Sequence, residues 1–508
     1  MRNYVKVGAA ALIAACLLPE AFAAKKEKPP KPKLVADKAV EYTFKNVSVH
    51  DPSIFKGEDG AYYIFGSHLA AAKTEDLMNW ESINNAVRNN NPIVPNVFDE
   101  MREAFDWSKS KTFWAPDVIQ LSDGKFHWYY SNCKGDSPRS CIGTAISDKA
   151  GGPYKNEGIM MRSGQVTTIE EKPLREEDRN YNALVDPNAV DPCVFFDTEG
   201  RLWMVYGSYS GGIFIKELDS NTGLQLEKGY GKKLLGANHL RIEAPYIIYS
   251  PKSEYYYLFL SFGGLGADGG YNVRVARSKT PDGPYLDSMG QDLINCKGPS
   301  GSFFDDATAS LYGTKLMGGY KFVWEKGEMG KNRKGYLSPG HNSCLYQKET
   351  DKYFIIYHTR FENSGEGHEI RVHQMFINDE GWPVIAPYRY IGESAKKVAA
   401  DEIPGTYKLI NHGRDIPQPA GPHMHESVNV TLFADGTYQG KNKKKDSGTW
   451  KLSGDNSCEI TIGDATYSGV FVPQWDEDGQ KYVMTFTAVD AKTGVAIWGS
   501  GLNARKEL

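Results

Sequence analysis

Five stretches in the first four hundred residues of this 508-residue chain repeat one pattern. Each begins with a polar or Pro-containing corner, continues as an apolar strand, turns, and returns as a second, aromatic strand. They are HDPSIFKGEDGAYYIFGSH from His50, APDVIQLSDGKFHWYYSN from Ala115, DPCVFFDTEGRLWMVYGSY from Asp191, APYIIYSPKSEYYYLFLSFG from Ala244 and GHNSCLYQKETDKYFIIYHTR from Gly340. The turns EDG, SDG and TEG are hairpin signals. A third strand follows in most copies, and CIGTAISDKAGGPY and YNVRVARSKTPDGPY share their closing Gly-Pro-Tyr. One hairpin cannot bury both of its faces alone, whereas several stacked radially can. The repeats predict an all-β fold with a five-bladed β-propeller over residues 46–395. A β-sandwich with coincidental likeness between strands is the competing arrangement, and the constant strand–turn–aromatic-strand order argues against it.

The chain is too long for one ordinary domain. Near residues 396–405 the composition shifts. Six short alternating strands follow, from SVNVTLFADGTYQG to GVAIWGSG, and fit a small β-barrel or sandwich over residues 405–508. His423 and His425 lie two apart there, a spacing that suits a metal but is better read as a solvated loop. Residues 164–180, rich in Glu, Arg and Lys, also read as a solvated loop. Tyr (30) and Phe (22) outnumber Trp (10), which favours strands. Exposed aromatic rings also stack on sugars. A formal net charge of -4 lacks the basic footprint of a nucleic-acid binder and suits a neutral substrate.

At the N-terminus, Arg2 and Lys6 precede an apolar run over residues 7–18, too short to span a bilayer. Pro19 breaks it, and Ala21-Phe22-Ala23 offers a small-x-small cleavage site. Residues 1–23 thus read as a signal peptide and 24–45 as a Lys/Pro-rich leader. Ile13-Ala14-Ala15 ahead of Cys16 gives a rival reading, a lipid anchor on that cysteine. Both send the chain out of the cytoplasm, secreted or periplasmic in the first case, with no transmembrane segment. None of the seven cysteines forms a CxxC pair, which argues against structural zinc. Cys133 and Cys141 flank the polar stretch KGDSPRS between two strand-like segments. An oxidised pair and two separate thiols are both open there.

In a propeller the innermost strands line a central channel, and residues at their starts converge at one mouth. The five corners carry His50-Asp51, Asp117, Asp191, Glu243 and His341. Carboxyls far apart in the chain would therefore meet in space. Glycoside hydrolysis needs such a meeting, because one carboxyl protonates the leaving oxygen and another activates water or attacks carbon. An Asp-Pro at a strand start is otherwise a common turn former. Asp186-Pro187 rivals Asp191-Pro192, but the repeat aligns only when Asp191 opens its strand. Glu243 could instead pair with Arg241.

Six clusters go further. They are His50-Asp51-Pro52-Ser53-Ile54, Trp114-Ala115-Pro116-Asp117, Ala189-Val190-Asp191-Pro192, the run Tyr206-Gly207-Ser208-Tyr209-Ser210-Gly211-Gly212-Ile213, Ile242-Glu243-Ala244-Pro245-Tyr246, and Pro339-Gly340-His341-Asn342-Ser343. With them the chain resembles glycoside hydrolase family 43, in particular its endo-1,5-α-L-arabinanases with an added C-terminal β-domain. The resemblance implies an inverting enzyme that cuts arabinan, a side chain of plant pectin, internally. It implies Asp51 as general base, Glu243 as general acid and Asp191 as the carboxylate that orients the acid and raises its pKa. Inversion requires about 6.5–9.5 Å between the two catalytic carboxyls. It implies a calcium ion near His341, an unusual site for a cation that prefers oxygen ligands. An ordinary hydrogen-bonded histidine is the alternative. Trp114 is a candidate sugar-stacking platform, and Asn132 and Ser208 are candidate partners for sugar hydroxyls. Asp117 sits at a similar corner, but the family match gives it no catalytic role. The expected state is a monomer. Two other functions compete: an exo-acting α-L-arabinofuranosidase or β-xylosidase of the same family, and a non-catalytic glycan-binding propeller. Loops at residues 85–110, 160–185 and 325–340 could leave a cleft open or close a pocket.

Overall fold

The computed structural model describes residues 31–37, 41–164, 181–394, 396–418, 421, 423–442 and 446–506. The expected signal peptide with Cys16, part of the Lys/Pro-rich leader and nearly all of the 164–180 loop lie outside these residues. Among the described residues, five sheets make up the fold. The first runs through Ser53–Lys56, Tyr62–Phe65, Ala71–Thr74 and Glu81–Asn84. The second runs through Trp114–Gln120, Phe126–Cys133, Ser140–Ser147 and Lys155–Ser163. The third runs through Cys193–Phe196, Leu202–Tyr206, Ile213–Leu218 and Lys232–Leu235. Each is an antiparallel meander whose first two strands are the repeated hairpin. Two short helices, Val97–Glu100 and Arg102–Ser108, occupy the 85–110 loop and set Val97, Met101 and Phe105 in the core beside Trp128.

The aromatic strands explain why the repeats must stack. Successive side chains point to opposite faces, and here both faces are buried. Trp128 and Tyr130 join Phe55, Tyr63 and Phe65 of the first sheet. Tyr129, between them, joins Met204 and Tyr206 of the third. In the fourth sheet Tyr256 and Leu258 face Val205 and Ile215, while Tyr257 and Phe259 face Tyr353, Ile355 and Tyr357 of the fifth. Phe354 and Ile356 of the fifth then meet Ile54 and Ile64 of the first. The arrangement is all-β and propeller-like.

Five like blades, cleanly separate from a second domain, are not what the structure shows. Only three sheets are plain four-stranded units. The fourth starts as Ile242–Ser250, Tyr255–Phe262, Asn272–Ser278 and Thr314–Met317, then continues through a parallel pairing of Lys315 with Val495 into the C-terminal part, making twelve strands in all. The fifth has six, because Tyr336–Gln347, Lys352–Phe361, His368–Ile377 and Pro383–Ile385 are joined by the short Tyr320–Lys321 and His425–Glu426. Its inner strand starts at Tyr336, before the repeat. The C-terminal part is a barrel of eight strands, not six. Gly405–Asn411 adds a strand, the VNVTLFADGTYQ run splits into Val428–Leu432 and Thr437–Gln439, and Val495–Gly501 closes the barrel on Lys481–Asp490 and Gly405–Asn411. His425 lies on the short strand paired with Tyr320, and its Nε2 meets Asp415 at 3.2 Å, so the His423/His425 spacing serves packing between the two parts.

The cysteines are resolved by register. Cys133 pairs with Ser140, and Cys141 with Asn132, so the two sulfurs project from opposite faces of the sheet. Both are buried free thiols, and the oxidised pair is excluded.

Candidate active site

The inner strands open on backbone irregularities. Asp51, Asp191, Ala244 and His341 all have positive φ, at 57°, 55°, 57° and 44°. The pairing register slips between Trp114 and Asp117, Glu243 and Tyr246, and Gly340 and Ser343. Such bulges re-aim side chains at strand ends. They turn the corner residues toward a common centre.

Asp51 is buried and fully engaged. Its Oδ2 accepts from Ser67 Oγ at 2.5 Å and lies 2.7 Å from His50 Nδ1, and its Oδ1 lies 3.0 Å from His341 Nδ1. Its backbone N–H donates to His358 Nδ1 at 3.2 Å, and His50 stacks on His358 with centroids 4.0 Å apart. Burial alone would raise the Asp51 pKa, but the charges and hydrogen bonds of His341 and His50 together hold it well below the usual carboxylate range. His341 shows the reverse balance. Burial opposes its protonation, yet Asp51, Asp191 and Glu243 push its pKa up to about 9.

Glu243 is held from two sides. Ser208 Oγ donates to Oε2 at 2.7 Å, and Tyr271 Oη donates to Oε1. Gly340 permits that contact, because a Cβ there would strike the Tyr271 ring. Asp191 Oδ2 accepts from the N–H of Ala244, the residue after Glu243, at 3.2 Å. Burial pushes the Asp191 pKa up to about 8, with the charges of Glu243 and Asp51 adding and His341 opposing. Arg241 is not the partner of Glu243; its guanidinium grips Asp306.

A cavity of about 500 Å³ opens on the Asp191–Glu243 side of this centre, lined by Trp114, Asp191, Ser208, Glu243, Phe303 and Phe304 among others; Asp51 and His341 lie behind it, off the wall. Trp114 is half-buried on its wall, with Nε1 donating to the Cys133 carbonyl at 3.0 Å. Asn132 is a correction. It is fully buried, its amide donates to the Thr112 carbonyl at 2.6 Å, and it is not part of the cavity wall. It lies one residue past Ser131, the position that corresponds by register to Ser261 in the fourth sheet. Asp186 closes its own turn by accepting from the Asn182 N–H at 2.7 Å. Asp117 ties three inner strands together, with Ser53 Oγ donating to Oδ1 and the Val194 N–H to Oδ2. Burial pushes it up to about 7.

Ser67, Tyr271 and His358 are not among the residues that the sequence pattern singles out, and His50 enters only as a neighbour of Asp51. A signal exists for most of them. The second strand of the repeats ends near Ser67, Ser208, Ser261 and His358, and each touches a corner residue: Asp51, Glu243, the His341 N–H and the Asp51 N–H. Tyr271, just ahead of a third strand, follows no such rule.

A family profile described as glycosyl hydrolases family 43 matches residues 43–320, more than half of the chain. The chain belongs to that family. A second profile, a C-terminal lipocalin-like domain, matches residues 387–499. Extracellular endo-α-(1→5)-L-arabinanase 2 of Bacillus subtilis is 51% identical over 458 residues, 90% of this chain and 93% of the relative. The extracellular endo-α-(1→5)-L-arabinanase of Thermotoga petrophila is 46% identical over 462 residues, covering 90% and 94%. A family 43 crystal structure from Bacillus licheniformis superposes with a TM-score of 0.84 at 50% identity, over 92% of this chain and 100% of that one. The Thermotoga arabinanase structure gives 0.83 at 45%, over 90% and 99%.

Proposed function

We propose that this family 43 protein is an inverting glycosidase that cuts α-1,5-linked L-arabinan internally. The two relatives above carry that activity in their names over nearly their whole length. The observation that carries the chemistry is the contrast between two buried centres. Histidines hold Asp51 ionised, while Asp191, beside Glu243, keeps a proton up to about pH 8. That contrast separates an ionised carboxylate from a neutral neighbour; the acid's role falls to Glu243 on position, since it lines the cavity and is held by Ser208 and Tyr271. In this reading Asp51 takes a proton from water, the water attacks the anomeric carbon, and Glu243 gives its proton to the departing oxygen. Asp191 positions the acid through the Ala244 N–H. Trp114 and Ser208, both on the cavity wall, contact the sugar chain.

The fifth sheet acts as the last blade of the propeller, since its core meets both the fourth and the first sheets. Residues 46–395 form the catalytic part and 405–508 the accessory barrel. Export as a monomer acting on pectin side chains completes the reading, and the extracellular naming of the relatives supports the export. A calcium ion near His341 would meet groups that are already engaged. His341 Nδ1 is engaged by Asp51. The Asp51 oxygens are engaged by Ser67, His50 and His341. His50, Asp51 and His358 place ligand atoms within 4.8 Å of one another, and the buried His358 Nε2 has no hydrogen-bond partner among the described residues, so these groups with water are the ones that could complete an oxygen-rich shell. His341 would have to give up its proton to join it. Such an ion would add positive charge beside the carboxyls. Chelation should lower the rate and calcium restore it; full activity in metal-free protein would remove the ion from the reading.

Linear arabinan tests the function. Viscosity should fall much faster than reducing ends accumulate. Free arabinose as the sole product from the first minutes would replace endo by exo action.

A further inference from the structure

The active-site cavity has an apolar side that its acid–base chemistry does not use. The segment between Asn272–Ser278 and Thr314–Met317 brings Phe303 and Phe304 to the wall, 63% and 44% exposed. Their ring centroids are 4.1 Å apart. Phe304 also meets Tyr209 edge-on at 5.6 Å, and Phe303 meets His239 at 4.9 Å. An isolated exposed apolar residue needs no explanation, but a paired aromatic surface on a concave wall marks a place for a ligand.

The backbone gives a second, independent sign. Phe304 has φ 57°, a conformation that bulky residues rarely adopt and that persists only where the surroundings fix it. Those surroundings are specific. The Phe304 N–H donates to the His239 carbonyl at 3.3 Å, and its own carbonyl accepts from the Asp306 N–H at 2.9 Å. Arg241 Nε donates to Asp306 Oδ1 at 3.0 Å, its other nitrogen grips Oδ2, and Gln418 Nε2 donates to Oδ2 at 3.0 Å. Arg241 stands two residues before Glu243 at the head of the same inner strand. The bidentate pair thus fixes the aromatic segment in distance and angle to the proposed acid.

We propose that Phe303 and Phe304 form a stacking platform for a furanose ring of the bound chain, a subsite beyond the bond being cut. This rests on the arabinan reading. Sugar rings present an apolar C–H face, and rigid aromatic rings bind such a face at little entropic cost. Each ring that reaches the platform tightens binding without entering the chemical step, which favours long chains over short ones.

The test is steady-state hydrolysis of linear α-1,5-arabino-oligosaccharides of increasing length. The double variant Phe303→Leu/Phe304→Leu keeps apolar bulk and loses the rings; Phe303→Tyr/Phe304→Tyr keeps them. For the longest substrates the Leu variant should show a KM raised about tenfold, with kcat within about twofold, and a flattened dependence on length. The Tyr variant should restore the wild-type pattern. A Leu variant with wild-type KM at every length would overturn the proposal, as would a defect that Tyr fails to restore or one confined to kcat. Wild-type protein that leaves arabinan intact would overturn the arabinan reading together with this one, whereas wild-type turnover with an indifferent Leu variant would overturn this inference alone.

Discussion

Asp51 and Asp191 are both buried aspartates that open an inner strand with φ near 55°, yet their protons behave in opposite ways. Burial raises both. For Asp51 two imidazoles outweigh it; for Asp191 the neighbouring carboxylates reinforce it. The pH dependence follows. Burial, with the charges of Glu243 and Asp51 adding, pushes the Asp191 pKa up to about 8, so Asp191 ionises on the alkaline side. kcat/KM should therefore fall on the alkaline side from about pH 8. Asp191→Asn removes the titrating carboxyl and leaves a neutral amide in its place. The alkaline limb that Asp191 sets should then vanish from the variant's profile. The measurement is kcat/KM against pH for both proteins, and an unmoved limb would mean that another group titrates.

At the scale of elements, the site is made by strand ends. Left-handed residues at the corners each cost about 1–3 kcal/mol, and specific partners hold them. The N–H of Asp51 reaches His358, that of Ala244 reaches Asp191, and that of His341 reaches Ser261. Strain at the corner is thus matched by a polar side chain from a neighbouring inner or second strand. Gly212 shows how little room such an element leaves. It precedes Ile213–Leu218 with φ 105°, and a Cβ there would strike the Leu235 carbonyl and the Gly236 backbone. No side chain can swing away, because the obstacles are backbone. Gly212→Ala should cost about 2–4 kcal/mol. A denaturant midpoint that falls with unchanged slope would show it; an unshifted midpoint would mean that the third sheet yields there.

Across the whole molecule, the barrel is not an appendage. Trp498, Val470, Val489 and Ile410 share one core with Tyr257, Phe259 and Tyr357 of the propeller-like part. A buried charge cluster crosses the same boundary. Glu328 meets Lys408 at 2.5 Å and Lys481 at 3.0 Å, and Arg333 meets Asp476 at 2.7 Å. Removing one member of a buried cluster strands its partners' charge, at about 3–5 kcal/mol. Glu328→Gln should lower the melting temperature of the whole molecule in calorimetry. Wild-type protein that melts in two well-separated transitions would refute this coupling.

What the sequence determined by itself is local. The period-two aromatic strands, the EDG, SDG and TEG turns, and the Asp or Glu at four of the five corners, with His341 at the fifth, sit in contiguous residues. The hairpins, the family and the carboxyls Asp51, Asp191 and Glu243 are therefore legible in the amino-acid order alone. What the tertiary structure decided depends on register and on contacts between distant segments. The slot of Cys141 opposite Asn132 rather than Cys133 is a one-residue matter that no composition reveals. The pairing of Lys315 with Val495, which fuses the fourth sheet to the barrel, joins strands about 180 residues apart. The same holds for Tyr271 on Glu243 and for the burial that takes Asn132 off the cavity wall. Backbone pattern is written in neighbouring residues. The side-chain environment that sets a pKa or removes a residue from the surface comes from whichever strands the sheets bring together, and packing alone selects those.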